Sequence, residues 1–238
     1  MSLQRFFFKT KLTYKIYLYY NLYLRHKGYQ NRSQYSQWGE DRFILDFFKD
    51  LNQGVYFDIG CFHPFMYSNT CLLHKKGWRG INVDINPTSI DLFNIARPRD
   101  INLCTTVNNE KQIFDVFYDH PFSPVNTIDE KFYNNSKKKF FKNEKKFKVE
   151  SKSIDEIIKI SKIEKNIDFL NIDVEGKDYE VLTQISIKKI KPSLIAIETH
   201  NVDGSEIETF SSIYSYMNDN NYYVYKRIGP TTLFFRKN

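Results

Sequence analysis

Cysteine is scarce in this chain: 238 residues hold only Cys61, Cys71 and Cys104. They show neither C-x-x-C spacing nor an even framework, which excludes a disulfide scaffold and fits reduced core thiols of a cytosolic protein. Long apolar runs are missing too. The longest uncharged run near the start, Ile16 to Leu24, has nine residues and is too short to span a bilayer as a helix. Residues 1–25 lack a small-residue cleavage site and are full of Tyr and Lys, so no secretory leader is expected. Acidic residues are absent from residues 1–32, which hold seven Lys/Arg. Residues 131–148 hold eight lysines against Glu144 alone, and the whole chain carries +7, so the remainder stands at −7. The basicity therefore lives in two appendages on a mildly acidic body. Such segments suit an anionic membrane surface, an acidic polymer or nucleic acid, or else form solvated surface in a chain rich in Lys, Asn, Ile, Tyr and Phe.

What is present argues for a folded α/β domain with a full core: 41% of residues are hydrophobic and 17% aromatic. Leu12, Ile16, Tyr19 and Tyr23 recur at i, i+4, i+7 and i+11, one face of a helix within residues 6–24. Lys9, Lys11, Lys15 and Arg25 surround that stripe. It reads as an interfacial helix with Tyr and Lys at lipid headgroups, or as a helix packed on the domain or on a second subunit. Residues 1–32 are thus expected to be a basic, aromatic helical extension, and residues 33–238 the main domain.

The domain is organised around Val55-Tyr56-Phe57-Asp58-Ile59-Gly60, a buried strand that breaks at a glycine. Ser68-Asn69-Thr70 then opens a helix, and Gly80-Ile81-Asn82-Val83-Asp84 is a second strand ending in an acid. A strand, a glycine, a helix and an acid-ended strand form the opening of a dinucleotide-type fold, where the acid reaches ribose hydroxyls. The fuller glycine fingerprint is absent, because Cys61 and Phe62 stand where further glycines are common. Asn86-Pro87-Thr88 opens the next helix, Ile101 to Val107 reads as a third strand, and Ile113 to Tyr118 as an extended piece outside the parallel order. Residues 119–148 show no apolar period and read as a loop or a partly helical lid. Ser153-Ile154-Asp155-Glu156 is a capping box, Ile167 to Asp173 a buried strand, Asp178 to Ile187 a helix, and Ser193 to Glu198 another strand. A helix over residues 206–218 and a hairpin, Tyr222 to Ile228 and Thr232 to Phe235, complete the chain.

Alternating strands and helices imply a parallel sheet, and the hairpin adds an antiparallel edge. The expected architecture is the Rossmann-like α/β fold of class I methyltransferases: seven strands with an antiparallel hairpin at the end. Ligands of open parallel sheets bind outside the carboxyl ends of the strands. Gly60, Asp84, Asp173-Val174-Glu175-Gly176 and Glu198-Thr199-His200 all fall on that rim. Asp173, Glu198 and His200 could bind a divalent cation or deprotonate a hydroxyl. The plainer alternatives are that Glu175 braces the following helix and Glu198 anchors its loop. His63 either touches a substrate or only stitches its loop together.

Several separated blocks resemble FkbM-type methyltransferases in order and approximate spacing over residues 34–200. They are Ser36-Gln37-Trp38-Gly39-Glu40-Asp41, Phe57-Asp58-Ile59-Gly60, Ser68-Asn69-Thr70, Gly77-Trp78-Arg79-Gly80, Asp84-x-Asn86-Pro87, Asp168 to Gly176 and Ile197-Glu198. The resemblance implies an S-adenosylmethionine-dependent O-methyltransferase, often of sugars or other hydroxylated natural products. By position, Gln37 and Glu40 would border the cofactor pocket, and Asp58 and Gly60 would lie at the methionine end. Asp84, with Asn86 beside it, would take the ribose. Cys61 and the lysine-rich segment depart from the family pattern and bear on the acceptor rather than the cofactor. His200 is the first expected base and Asp173 or Glu175 the next, while Asp173 and Glu198 orient the acceptor or bind Mg²⁺ or Mn²⁺. The expected acceptor is a hydroxyl of a surface glycan or glycoconjugate. The expected location is cytoplasmic, with peripheral contact to the anionic inner membrane surface through residues 1–30 and no nucleic-acid partner. Two rivals are a non-catalytic glycan- or membrane-binding module and a nicotinamide-dependent oxidoreductase.

Overall fold

The computed structural model describes residues 10–141, 145–163, 166–185 and 187–237. Residues 1–9 of the basic extension and 142–144 of the lysine-rich segment lie outside these. The main sheet has strands β1 (Val55–Ile59), β2 (Arg79–Asp84), β3 (Ile101–Cys104), β7 (Phe169–Ile172), β8 (Leu194–Glu198), β9 (Tyr222–Ile228) and β10 (Thr231–Arg236). Their spatial order is β3-β2-β1-β7-β8-β10-β9. The first five run parallel, and β10 pairs antiparallel with both β8 and β9. The order reverses at β1, and that reversal opens a crevice beyond its carboxyl end.

Strand β1 is buried throughout, as its Val-Tyr-Phe-Asp-Ile run requires. Alternate side chains serve opposite faces. Phe57 and Ile59 join one core with Ile157 of α6 (Ile154–Ser161), Val181 of α7 (Asp178–Gln184) and Ile213 of α9 (Phe210–Asp219). Tyr56 joins the other, with Ile44 of α2 (Glu40–Phe47), Leu73 of α3 (Cys71–Lys75) and Trp78. The capping box at Ser153 is formed, with the Glu156 carboxylate accepting from the Ser153 amide at 2.8 Å. Asn86 caps α4 (Pro87–Ala96) with its own side chain, accepting from the Thr88 amide at 2.9 Å.

Three elements differ from expectation. The stretch 101–107 divides at Thr105, whose hydroxyl donates to the Glu150 carbonyl at 2.6 Å, and β4 (Thr106–Val107) leaves the main sheet. It joins a small sheet of order β4-β6-β5 with β5 (Ile113–Tyr118) and β6 (Lys145–Lys152). The segment read as loop or lid is α5 (Glu130–Phe140) followed by the start of β6, which pairs antiparallel with β5. In β6 Val149 is buried and the Ser151 hydroxyl donates to the Gln112 carbonyl just before β5, so the lysines mask a real alternation. The helix expected over 178–187 ends at Gln184, and a short α8 (Ile187–Ile190) follows.

At the other end α1 (Lys11–Tyr20) runs into a π-helical turn, Asn21–Arg25. It buries Tyr17, Leu18 and Leu22 against Leu92 of α4 and Phe65 and Phe122 of two loops. The apolar stripe read from the sequence is its other face and stands exposed. Among the described residues no helix is long and apolar enough to cross a membrane.

Candidate active site

A cleft, partly open to solvent, lies beyond the carboxyl ends of β1, β2 and β7. Gly60 forms its floor with φ +83°, and a Cβ there would sit 1.6 Å from the Asp173 carbonyl oxygen. Only glycine lets the two strand ends approach this closely. The Gly60 and Cys61 amides donate to the Val83 carbonyl at 2.8 and 3.2 Å, which ties β1 to β2. The Phe62 backbone then turns through φ +49°, and its amide donates to Asp84 Oδ2 at 2.8 Å.

Asp84 is buried on the cleft wall. Its other oxygen accepts from the Asn86 amide at 2.7 Å. Burial pushes its carboxyl up to about 6, against these two amides. Each carboxylate oxygen has two lone pairs, so one acceptor position per oxygen is left for a ligand hydroxyl. Val83, Ile85, Pro124 and Ile128 give the same wall an apolar surface, with Thr105 and Thr106 beside them. Carboxylate, apolar slot and close backbone floor suit a nucleoside.

The opposite wall is acidic, with Asp173 and Glu175 lining the cleft and Glu198 and Asp178 behind them. Burial, reinforced by Glu198, Glu175 and Asp178, raises the Asp173 carboxyl well above the ordinary range. Burial and Asp178 push Glu175 up to about 7, and burial pushes Asp178 up to about 6. Glu175 holds an unusual backbone, φ +52°, fixed by the Thr127 hydroxyl donating to its carbonyl at 2.9 Å. Glu198 is likewise raised by burial and by Asp178, Glu175 and Glu40. Among the described residues no group of three or more His, Cys, Asp or Glu side chains converges as a metal-ligand set.

Five of the residues singled out from the sequence line the cleft: Gln37, Gly60, Asp84, Asp173 and Glu175. The others lie off its wall. Asp58 is buried, accepting from Thr70 at 2.6 Å and Asn171 at 2.9 Å. Asn86 is consumed by its cap and by its amide group donating to the Pro121 carbonyl at 2.8 Å. Glu40 accepts from the Trp38 amide at 2.9 Å and the Thr231 hydroxyl at 3.3 Å, locking the turn that carries Gln37. Asp41 completes that turn, accepting from Ser36 Oγ and the Tyr35 amide, both at 2.6 Å.

His200 turns away at the end of β8. Its Nδ1 lies 2.7 Å from the Thr199 hydroxyl, which meets Thr232 at 2.6 Å, and its ring packs edge-on to Phe210. His63 stitches its loop: Nδ1 accepts from the Phe65 and Met66 amides at 3.1 and 3.0 Å, so Nε2 carries the proton toward Asn21 Oδ1 at 3.2 Å. Burial drives the His63 pKa down to about 3, and the ring stays neutral.

Arg97 escaped the sequence reading. Its buried guanidinium donates to the Pro64 carbonyl at 2.7 Å, Thr70 at 2.9 Å, Ser68 at 3.1 Å and the Tyr56 hydroxyl at 3.2 Å. Tyr56 in turn donates to Asp100. This network fixes the loop after β1 that carries Phe62 and Tyr67 into the cleft.

The strand reversal and the cleft define an open α/β protein that takes its ligand at the carboxyl ends of its parallel strands. A family model described as the methyltransferase FkbM domain matches residues 53–224. The chain belongs to that family of methyltransferases. The match runs past the Glu198 strand end into β9, and the turn carrying Gln37 and Glu40 precedes it. A comparison with curated proteins gives no match.

Proposed function

We propose that this chain is an S-adenosylmethionine-dependent O-methyltransferase of the class I fold, acting on a hydroxyl of a saccharide in a surface glycan or glycoconjugate. The observation that carries the reading is the pairing of Gly60 on the cleft floor with Asp84 on the wall beside it, at the ends of adjacent strands. Asp84 would hold the ribose, the apolar slot the adenine, and the Gly60 floor the methionine end. When bound, S-adenosylmethionine supplies a methyl group already activated on a sulfonium. The chain's task is then to orient the acceptor and remove its proton.

Glu175 is the group we assign as base, because it faces the cleft and its pKa of about 7 lets it ionise near neutrality. Asp173, raised well above the ordinary range by burial and its acidic neighbours, holds a proton more readily than a free aspartate, and in that form it can donate a hydrogen bond to the acceptor. A polar depression lined by Asn31, Arg32, Ser33 and Gln34 shares Gln37 and Tyr67 with the cleft. Its donors, acceptors and aromatic faces suit a saccharide.

Calorimetry tests the cofactor reading. The protein should bind S-adenosylmethionine and S-adenosylhomocysteine but not NAD, and Asp84→Asn should weaken binding by about 1.5–3 kcal/mol through loss of a charge-assisted hydrogen bond. Affinity should also decline as pH falls through about 6, where Asp84 takes up a proton. Tight NAD binding would overturn the assignment in favour of an oxidoreductase. His200→Ala should keep kcat within roughly tenfold of the parent, measured with labelled S-adenosylmethionine and extracted glycans. A loss of several orders of magnitude would return the imidazole to the mechanism.

A further inference from the structure

Helix α1 and its π-helical turn carry two apolar faces, and the fold uses one. Opposite the buried Tyr17, Leu18 and Leu22, the exposed face presents Leu12 (70% exposed), Ile16 (52%) and Leu24 (66%), with Tyr19, Tyr20 and Tyr23 between them. Lys11, Lys15, Arg25 and Lys27 stand exposed around it, and residues 1–32 contain no acid to neutralise them. We propose that this face docks on an anionic lipid bilayer. The aliphatic side chains enter the boundary between headgroups and acyl chains, the tyrosines sit at headgroup level, and the cations meet lipid phosphates.

Charge selects this occupant. A second copy packed face to face would set one cationic rim against another, and residues 1–32 supply no carboxylate to lie between them. A nucleic acid would satisfy the cations but leave the Leu and Ile side chains in water. A bilayer with anionic headgroups satisfies both. The helix is braced on the cleft's own loops: Tyr17 meets Phe122 with ring centroids 5.3 Å apart, and Asn21 bonds His63. Those loops also carry Phe62, Tyr67, Pro124 and Asn126 to the cleft. Docking therefore holds the walls of the cleft near the lipid surface.

Co-sedimentation of the full-length protein with vesicles tests this without reference to catalysis. Mixed phosphatidylcholine–phosphatidylglycerol vesicles should bind it, phosphatidylcholine alone should bind it roughly tenfold more weakly, and added salt should release it. The exposed triple variant Leu12→Ser, Ile16→Ser, Leu24→Ser should lose roughly tenfold or more in partitioning. Lys11→Glu with Lys15→Glu should do the same. Ile113→Ser, equally exposed on β5, should change nothing. Unchanged melting temperatures would show that each variant folds. Equal binding to both vesicle types, or normal partitioning of the triple variant, would overturn the proposal. So would a dimer in sedimentation velocity that the triple variant dissociates, which would give this face to a second copy.

Discussion

Replacing Glu175 by glutamine is expected to lower kcat by roughly 10²–10⁴-fold while leaving cofactor affinity nearly unchanged. A base must be ionised to act, so the parent rate should rise with pH through about 7, and the variant should lose that limb. Stability should move the other way. The folded pKa of Glu175 lies above the ordinary glutamate value of 4.5, so the folded protein holds this proton more tightly than the unfolded chain does. The associated stability is full below about 4.5 and is lost as pH rises through about 7. Glutamine cannot ionise, and Glu175→Gln should therefore raise the melting temperature at pH 8 by about a few degrees, with little change at pH 4.5. An equal rate in parent and variant would remove Glu175 from the chemistry. A loss of rate accompanied by a lower melting temperature would mark damage to the Thr127–Glu175 contact instead.

The largest loss of stability is expected at Arg97. Arg97→Ala would leave Asp100 and Asp58 buried without their nearby cation, and would strip hydrogen bonds from Pro64, Ser68, Thr70 and Tyr56. Breaking a buried ionic network by removing one partner costs about 3–5 kcal/mol. Urea unfolding should show a lower midpoint, and cofactor affinity should fall with it, because the loop after β1 loses its anchor. Arg97→Lys restores the charge but not the forked geometry, and should recover only part of the loss. A stability unchanged within about 1 kcal/mol would show that the network is dispensable.

Much of this architecture was legible because it follows from short-range rules. The buried strands, the caps at Asn86 and Ser153, and the rim shared by Gly60, Asp84, Asp173 and Glu175 required no tertiary information. What stayed hidden depended on which way a side chain turned. Glu198 and His200 lie two residues apart, yet the Thr199 and His200 amides bond the Pro230 carbonyl at the strand end and direct the imidazole to Phe210. Helix α1 is apolar on two faces, so periodicity could find its stripe but not decide that Tyr17, Leu18 and Leu22 would be the buried set. Arg97, between Ala96 and Pro98, looks like a solvated helix end, and nothing local says that a tyrosine and two aspartates converge on it. Asp58, Glu40 and Asn86 were recognised as belonging near the pocket. Their hydrogen bonds show supports for its walls, a distinction that sequence position cannot make.

The sheet also sets a timetable for biosynthesis. Strand β10 lies between β8 and β9, so Leu194–Glu198 has no partner on that side until Thr231–Arg236 has left the ribosome. During synthesis of the intervening stretch, a Leu-Ile-Ala-Ile edge is exposed, the kind that pairs readily with other chains. The nascent protein passes through this interval on every round of translation. Growth temperature and the supply of chaperones should therefore govern its soluble yield more than the stability of the finished fold does.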